Sequence, residues 1–100
     1  MSDELFEVRY SDEAIEDSIN ISDFILLNFT EREVRNFHIL IERFEKVVAS
    51  FPLMFPKSEL NSEIHRAVLS KPLSVFYAVA DNVVLVIGMV DNRVDYTKWP

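Results

Sequence analysis

Arg66, Lys71, Arg93 and Lys98 lie around a series of apolar runs in the second half of the chain. Cations placed like this can hold a phosphate and stabilise the added charge of a pentacovalent transition state. A tyrosine such as Tyr96, or a carboxylate, would then move the proton. The bland alternative is an ordinary surface cation at each strand end. Arg93 is the sharpest case, because it sits between Asp91, Asn92 and Asp95. It can pair with Asp91 or Asp95 and pin the chain end. It can instead point its five donors at a phosphate or carboxylate of a target, which is the expectation adopted for it.

Other reactive constellations are missing from the sequence. The one glycine, Gly88, falls inside an apolar run, so no glycine-rich phosphate loop exists; it marks a bulge or a close approach of another backbone. There is no cysteine, hence no disulfide framework and no thiolate metal site. His38 and His65 are the two histidines, and neither has carboxylates at metal-ligand spacing. His38 reads as a helix-surface residue and His65 as an outward-facing strand residue. No cofactor is expected.

Three strands must position the cations. Ile64 to Ser70, Leu73 to Ala80 and Val83 to Val90 are rich in β-branched and aromatic residues. Lys71-Pro72 separates the first two. Asp81-Asn82 joins the second and third with the chemistry of a type I′ hairpin turn. Val83–Val90, VVLVIGMV, is too apolar to leave one face in water. It suits a central strand, or one whose second face meets a partner.

Ahead of the meander, Phe6 to Tyr10 alternates like a short strand. Ser11 can then cap a helix whose start is acidic at Asp12 and Glu13. Ala14, Ile15, Ile19, Ile25, Leu26 and Phe29 recur at helical spacing, and Ser18 and Ser22 suggest a close approach to another element. This helix is expected to end near Asn28. Thr30-Glu31-Arg32-Glu33 is a capping-box pattern. Val34, Phe37, Ile41, Phe44, Val48 and Phe51 follow it at alternating spacings of three and four, widened by Leu40 and Val47. Pro52 and Pro56 end the second helix and force an extended segment. The order is β-α-α-β-β-β. The expected class is α+β, with an antiparallel helical hairpin packed on one face of a mainly antiparallel four-stranded sheet.

The chain has 100 residues, read as a single domain over 1–100, and about half of them are apolar. No apolar run approaches the ~20 residues that span a bilayer, and the acidic N-terminus lacks a signal-peptide core. The default location is the cytoplasm, with no membrane partner. Net charge is −7. Residues 1–29 hold eight acids and one base, which accounts for all of it; the remainder carries nine of each. Such a chain is not a basic nucleic-acid binder overall, although screening over roughly 8 Å leaves room for a locally basic face.

The segments YSDEAIEDSINISDFI, Phe51-Pro52, EIHRAVL, SVFYAV, the Asp81-Asn82 turn and VIGMVDNRVD occur in a telling order. In these, across nearly the whole chain, the sequence resembles the RelE/ParE superfamily of toxins from bacterial type II toxin–antitoxin modules. It looks most like the ParE, plasmid-stabilisation branch. The resemblance implies a growth-inhibiting toxin neutralised by a cognate antitoxin. One branch cleaves ribosome-bound mRNA, and another poisons DNA gyrase without nuclease chemistry. Aligned on Phe76-Tyr77, Ser74 stands where the RNA-cleaving branch has a strand arginine. Arg93 matches the arginine after the last strand, and Tyr96 falls near that branch's C-terminal tyrosine. Lys57 is the one lysine between Lys46 and Lys71, where that branch has a pair. The broken basic set favours a protein-binding, gyrase-directed toxin over a ribosome-dependent endoribonuclease; a homologue with lost activity is the third reading. Arg93, Arg66 and Tyr96 are the catalytic candidates. Arg93, Tyr96, Trp99 and Phe55 are the partner-binding ones. The fourth strand, the Phe51–Phe55 loop and the aromatic tail are the expected antitoxin surface, which a homodimer or a toxin–antitoxin hetero-oligomer would cover.

Overall fold

The computed structural model describes residues 5–94. Tyr96, Lys98 and Trp99 lie outside the described residues. The elements are β1 (Glu7–Tyr10), α1 (Asp12–Asn28), α2 (Glu31–Ser50), β2 (His65–Val68), β3 (Leu73–Ala80) and β4 (Val83–Asp91). The sheet order is β1-β4-β3-β2. β4 pairs antiparallel with β3, and β3 with β2, while β1 runs parallel to β4. The α+β hairpin-on-sheet reading holds, and the most apolar strand is a central one.

Both helix starts follow from their caps. Ser11 Oγ accepts from the Ala14 amide at 3.1 Å, and Thr30 Oγ1 accepts from the Glu33 amide at 3.3 Å. Each satisfies a donor that the first helical turn leaves without a partner. The core forms where Phe37, Phe44 and Val48 of α2, with Ala14, Ile21 and Ile25 of α1, meet Val75, Tyr77, Val84 and Val86 of the sheet. The Phe44 ring meets Tyr77 edge-on, with centroids 5.6 Å apart.

Five expectations are corrected. In α1 the buried line is Ala14, Ile21 and Ile25, whereas Ile15, Ile19, Leu26 and Phe29 are exposed. Phe51, expected on the α2 stripe, is exposed, because the helix ends at Ser50 and Phe51 is its C-cap. β2 is shorter than Ile64 to Ser70. His65 faces the helices rather than solvent, stacked on Tyr77 at 5.0 Å with Nδ1–H donating to the Phe55 carbonyl at 2.7 Å. Finally, Asp81 alone among the described residues has a positive φ, 55°, so the turn is not type I′, which needs two.

Gly88 does sit at an irregularity. The β3–β4 register shifts between Phe76 and Tyr77, whose partners are Gly88 and Val86, leaving Ile87 without a cross-strand partner. The close approach there is made by a carboxylate: Asp17 Oδ2 accepts from the Met89 amide at 3.1 Å, and a Cβ on Gly88 would lie 3.4 Å from the same oxygen. Asp17 thereby ties α1 to β4.

Candidate functional site

The alternation of β2 and β3 divides the cations between two surfaces. His65 and Ala67 turn toward the helices, so Arg66 and Val68 project from the open face of the sheet. Arg66 lies opposite Phe76, and Val68 opposite Ser74. The Arg66 guanidinium donates from Nε and Nη2 to Ser74 Oγ, both at 3.3 Å, and its carbon stands 5.9 Å from the centre of the Phe76 ring. Ser74 is buried despite facing this side.

The segment after α2 folds back beside β2. The Ser58 amide donates to the Ile64 carbonyl at 2.6 Å and the Arg66 amide to the Pro56 carbonyl at 2.9 Å. Between this segment and the sheet lies a recess of about 550 Å³, lined by Lys57, Ser58, Glu59, Arg66, Val68 and Phe76 among others. Two cations and one carboxylate meet there beside an aromatic face. That chemistry suits an anion or a phosphate held next to a planar group. Glu59 is the one carboxylate of the lining, and neither histidine nor tyrosine lines the recess.

Arg93 belongs to the other surface. Asp91 lies opposite the buried Leu73 at the helix-facing end of β4, and is itself fully buried. Arg93 donates to it from Nε at 2.9 Å, from Nη2 at 2.7 Å and from its own amide at 2.9 Å. Its Nη1 reaches Glu33 of α2 at 3.3 Å, and its guanidinium carbon stands 5.7 Å from the Phe29 ring centre. The hydrogen bond to Asp91 raises the Arg93 pKa above its ordinary value, and Glu33 adds to this against the opposing effect of burial. The candidates Arg66 and Arg93 are therefore not brought together. Sequence reasoning identified Asp91 as a partner for Arg93 but missed Glu33, sixty positions away, and Phe29.

Phe55 also turns inward. Its ring packs at 6.1 Å from Phe44 and at 6.4 Å from Tyr77, edge-on to the latter. The loop's apolar exposure comes instead from Phe51, Leu53 and Met54, with Leu60 further on. On the open sheet face, Val68, Leu85 and Val90 add to it. His38 stays on the α2 surface, its Nε2 3.5 Å from Ser22 Oγ. No group of three or more metal-ligating side chains occurs among the described residues, and no helix among them is long and apolar enough to cross a membrane.

Solved structures place this architecture. The chain superposes on a structure of the chromosomal ParDE toxin–antitoxin system from P. aeruginosa with a TM-score of 0.73 at 10% identity, covering 87% of this chain and 96% of that one. The fold is that of the RelE/ParE toxins. The RelBE2 toxin–antitoxin complex from Mycobacterium tuberculosis matches at a TM-score of 0.64 and 16% identity, over 90% of this chain and 94% of the other. The E. coli DinJ–YafQ toxin–antitoxin complex matches at 0.60 and 8%, over 96% and 99%. No family model matches the sequence, and no curated protein matches it by sequence. At such identities the RelE/ParE likeness is one of backbone; the side chains must be read on this chain alone.

Proposed function

We propose that this chain is the toxin of a type II toxin–antitoxin pair, held in check in the cytoplasm by a cognate antitoxin, and that it acts by binding a protein target. The shared fold and the toxin–antitoxin setting of the neighbours support the first part. One observation carries the second. Of the two arginines a phosphate-cleaving site would recruit, Arg93 is closed onto Asp91 and Glu33 on the helix side, while Arg66 is on the open sheet face beside a serine. Phosphoryl chemistry needs convergent positive charge at one oxygen, and this arrangement divides it. By resemblance to the ParE branch, DNA gyrase is the proposed target.

The recess holding Lys57 and Arg66 favours a second reading, a ribosome-dependent mRNA endoribonuclease, with those two cations on the RNA phosphates. Induction of the chain without its partner separates the two. The protein-binding reading expects arrested growth with loss of DNA supercoiling and intact mRNA. Arrest accompanied by mRNA cleavage and normal supercoiling would favour the nuclease, and unimpeded growth would contradict both.

A further inference from the structure

The line in α1 that the fold leaves outside has its own order. Ile15, Ile19 and Leu26 are 46%, 54% and 52% exposed, about a third of a turn around the helix from the core line of Ala14, Ile21 and Ile25. With Ser22 they are spaced four, three and four apart, the alternation with which one helix seats another. Glu16 and Asp23, seven positions apart, run beside this seam, with Asp12 at its start. α1 contains no lysine or arginine at all. On the α2 side the seam is bordered by Ser18 and His38, over a shallow groove of about 260 Å³.

We infer that the outer face of α1 is a docking seam for a helix of the partner protein, one with an apolar stripe flanked by lysine or arginine. The charge pattern selects that occupant. Flanking positions of paired helices face each other across the seam, so the acids at Glu16 and Asp23 meet the partner's own flanks. A second copy of this chain would set acid against acid, and an anionic membrane would be repelled. The seam from Ile15 to Leu26 is about 17 Å long, short enough to serve as one part of a larger contact. The inference deepens the toxin reading by giving the partner a chemistry, and rests on that reading only for the partner's identity.

The test titrates the isotope-labelled protein with two three-heptad peptides, identical in their Ile/Leu seam, one with lysine and one with glutamate at the flanking positions, followed by amide chemical shifts. The lysine peptide should shift amides around Ile15 to Leu26 and bind about five-fold more tightly than the glutamate peptide, as two exposed ion pairs would allow. The difference should vanish in about 0.5 M salt. Glu16→Lys with Asp23→Lys should invert the preference. Ile19→Ser with Leu26→Ser should abolish binding and leave the melting temperature unchanged, since both side chains are exposed. Equal affinity for the two peptides, shifts confined to another face, or a dimer that Ile19→Ser dissolves would each overturn the inference. Growth on induction is read separately: a harmless chain that binds the lysine peptide keeps the seam and loses the toxin reading, and a toxic chain indifferent to charge does the reverse.

Discussion

Arg93 and Asp91 form a two-point clamp, Nε to Oδ1 at 2.9 Å and Nη2 to Oδ2 at 2.7 Å, at the place where β4 ends. The carboxylate is fully buried and the guanidinium mostly so. Through Glu33 the clamp also ties the end of the sheet to the first turn of α2. Removing one side of such a pair leaves a charge in a poor solvent. Arg93→Ala is accordingly expected to cost about 2 kcal/mol, below the ~3–5 kcal/mol of a fully buried pair because Arg93 keeps some exposure and its amide still donates to Asp91. Chemical denaturation checks this. At permissive temperature the variant should keep its effect on growth. An unchanged denaturation midpoint with lost growth inhibition would return Arg93 to target contact.

Phe44 is the keystone of the helix–sheet contact, touching both Phe55 and Tyr77. Phe44→Ala should cost ~3–5 kcal/mol, the range for a buried aromatic, which is a large share of a small domain's stability. The same experiment on the exposed Ile39 should cost under about 0.5 kcal/mol. Similar losses at the two positions would mean that the wrong face of α2 has been assigned to the core.

Alkaline pH should unfold the protein through Tyr10. Its hydroxyl donates to Glu45, and burial first, then that hydrogen bond and the carboxylate's charge, push its pKa above the ordinary phenol value. A raised folded pKa means that the stabilisation is complete below the unfolded value of about 10 and is lost as pH rises through the folded one. Stability should therefore fall above pH ~10. In Tyr10→Phe this part of the slope should disappear, at a cost near neutral pH of about 1 kcal/mol for the lost hydrogen bond. Tyr77, buried and shifted in the same direction, leaves a residual slope. An identical slope in wild type and Tyr10→Phe would refute the assignment.

α2 was legible because its capping box and its single apolar stripe agree with each other. α1 was not, because it is apolar on two lines: Ala14, Ile21 and Ile25 on one, Ile15, Ile19 and Leu26 on the other. Periodicity finds a stripe but cannot say which of two the sheet will cover. The meander was legible from its strand composition and the Asp81-Asn82 turn. The parallel pairing of β1 with β4 was not, since it joins Glu7 to Val83 across two helices and two strands. The same distance in sequence hid Glu33 from Arg93. The apolar sheet side of His65 was missed because a histidine between Ile64 and Arg66 reads as polar, whereas here its donor meets the Phe55 carbonyl and its ring meets Tyr77.

The central claim, that this toxin-fold chain acts by binding protein rather than by cutting RNA, is tested most directly by incubating the purified chain with programmed ribosomes and mapping the mRNA ends. The divided arginines predict no cleavage beyond the protein-free control, and none gained or lost in Arg93→Ala or Arg66→Ala. Discrete ribosome-dependent cuts by the unmodified protein, lost in Arg66→Ala, would contradict it and make the Lys57–Arg66 recess a nuclease site.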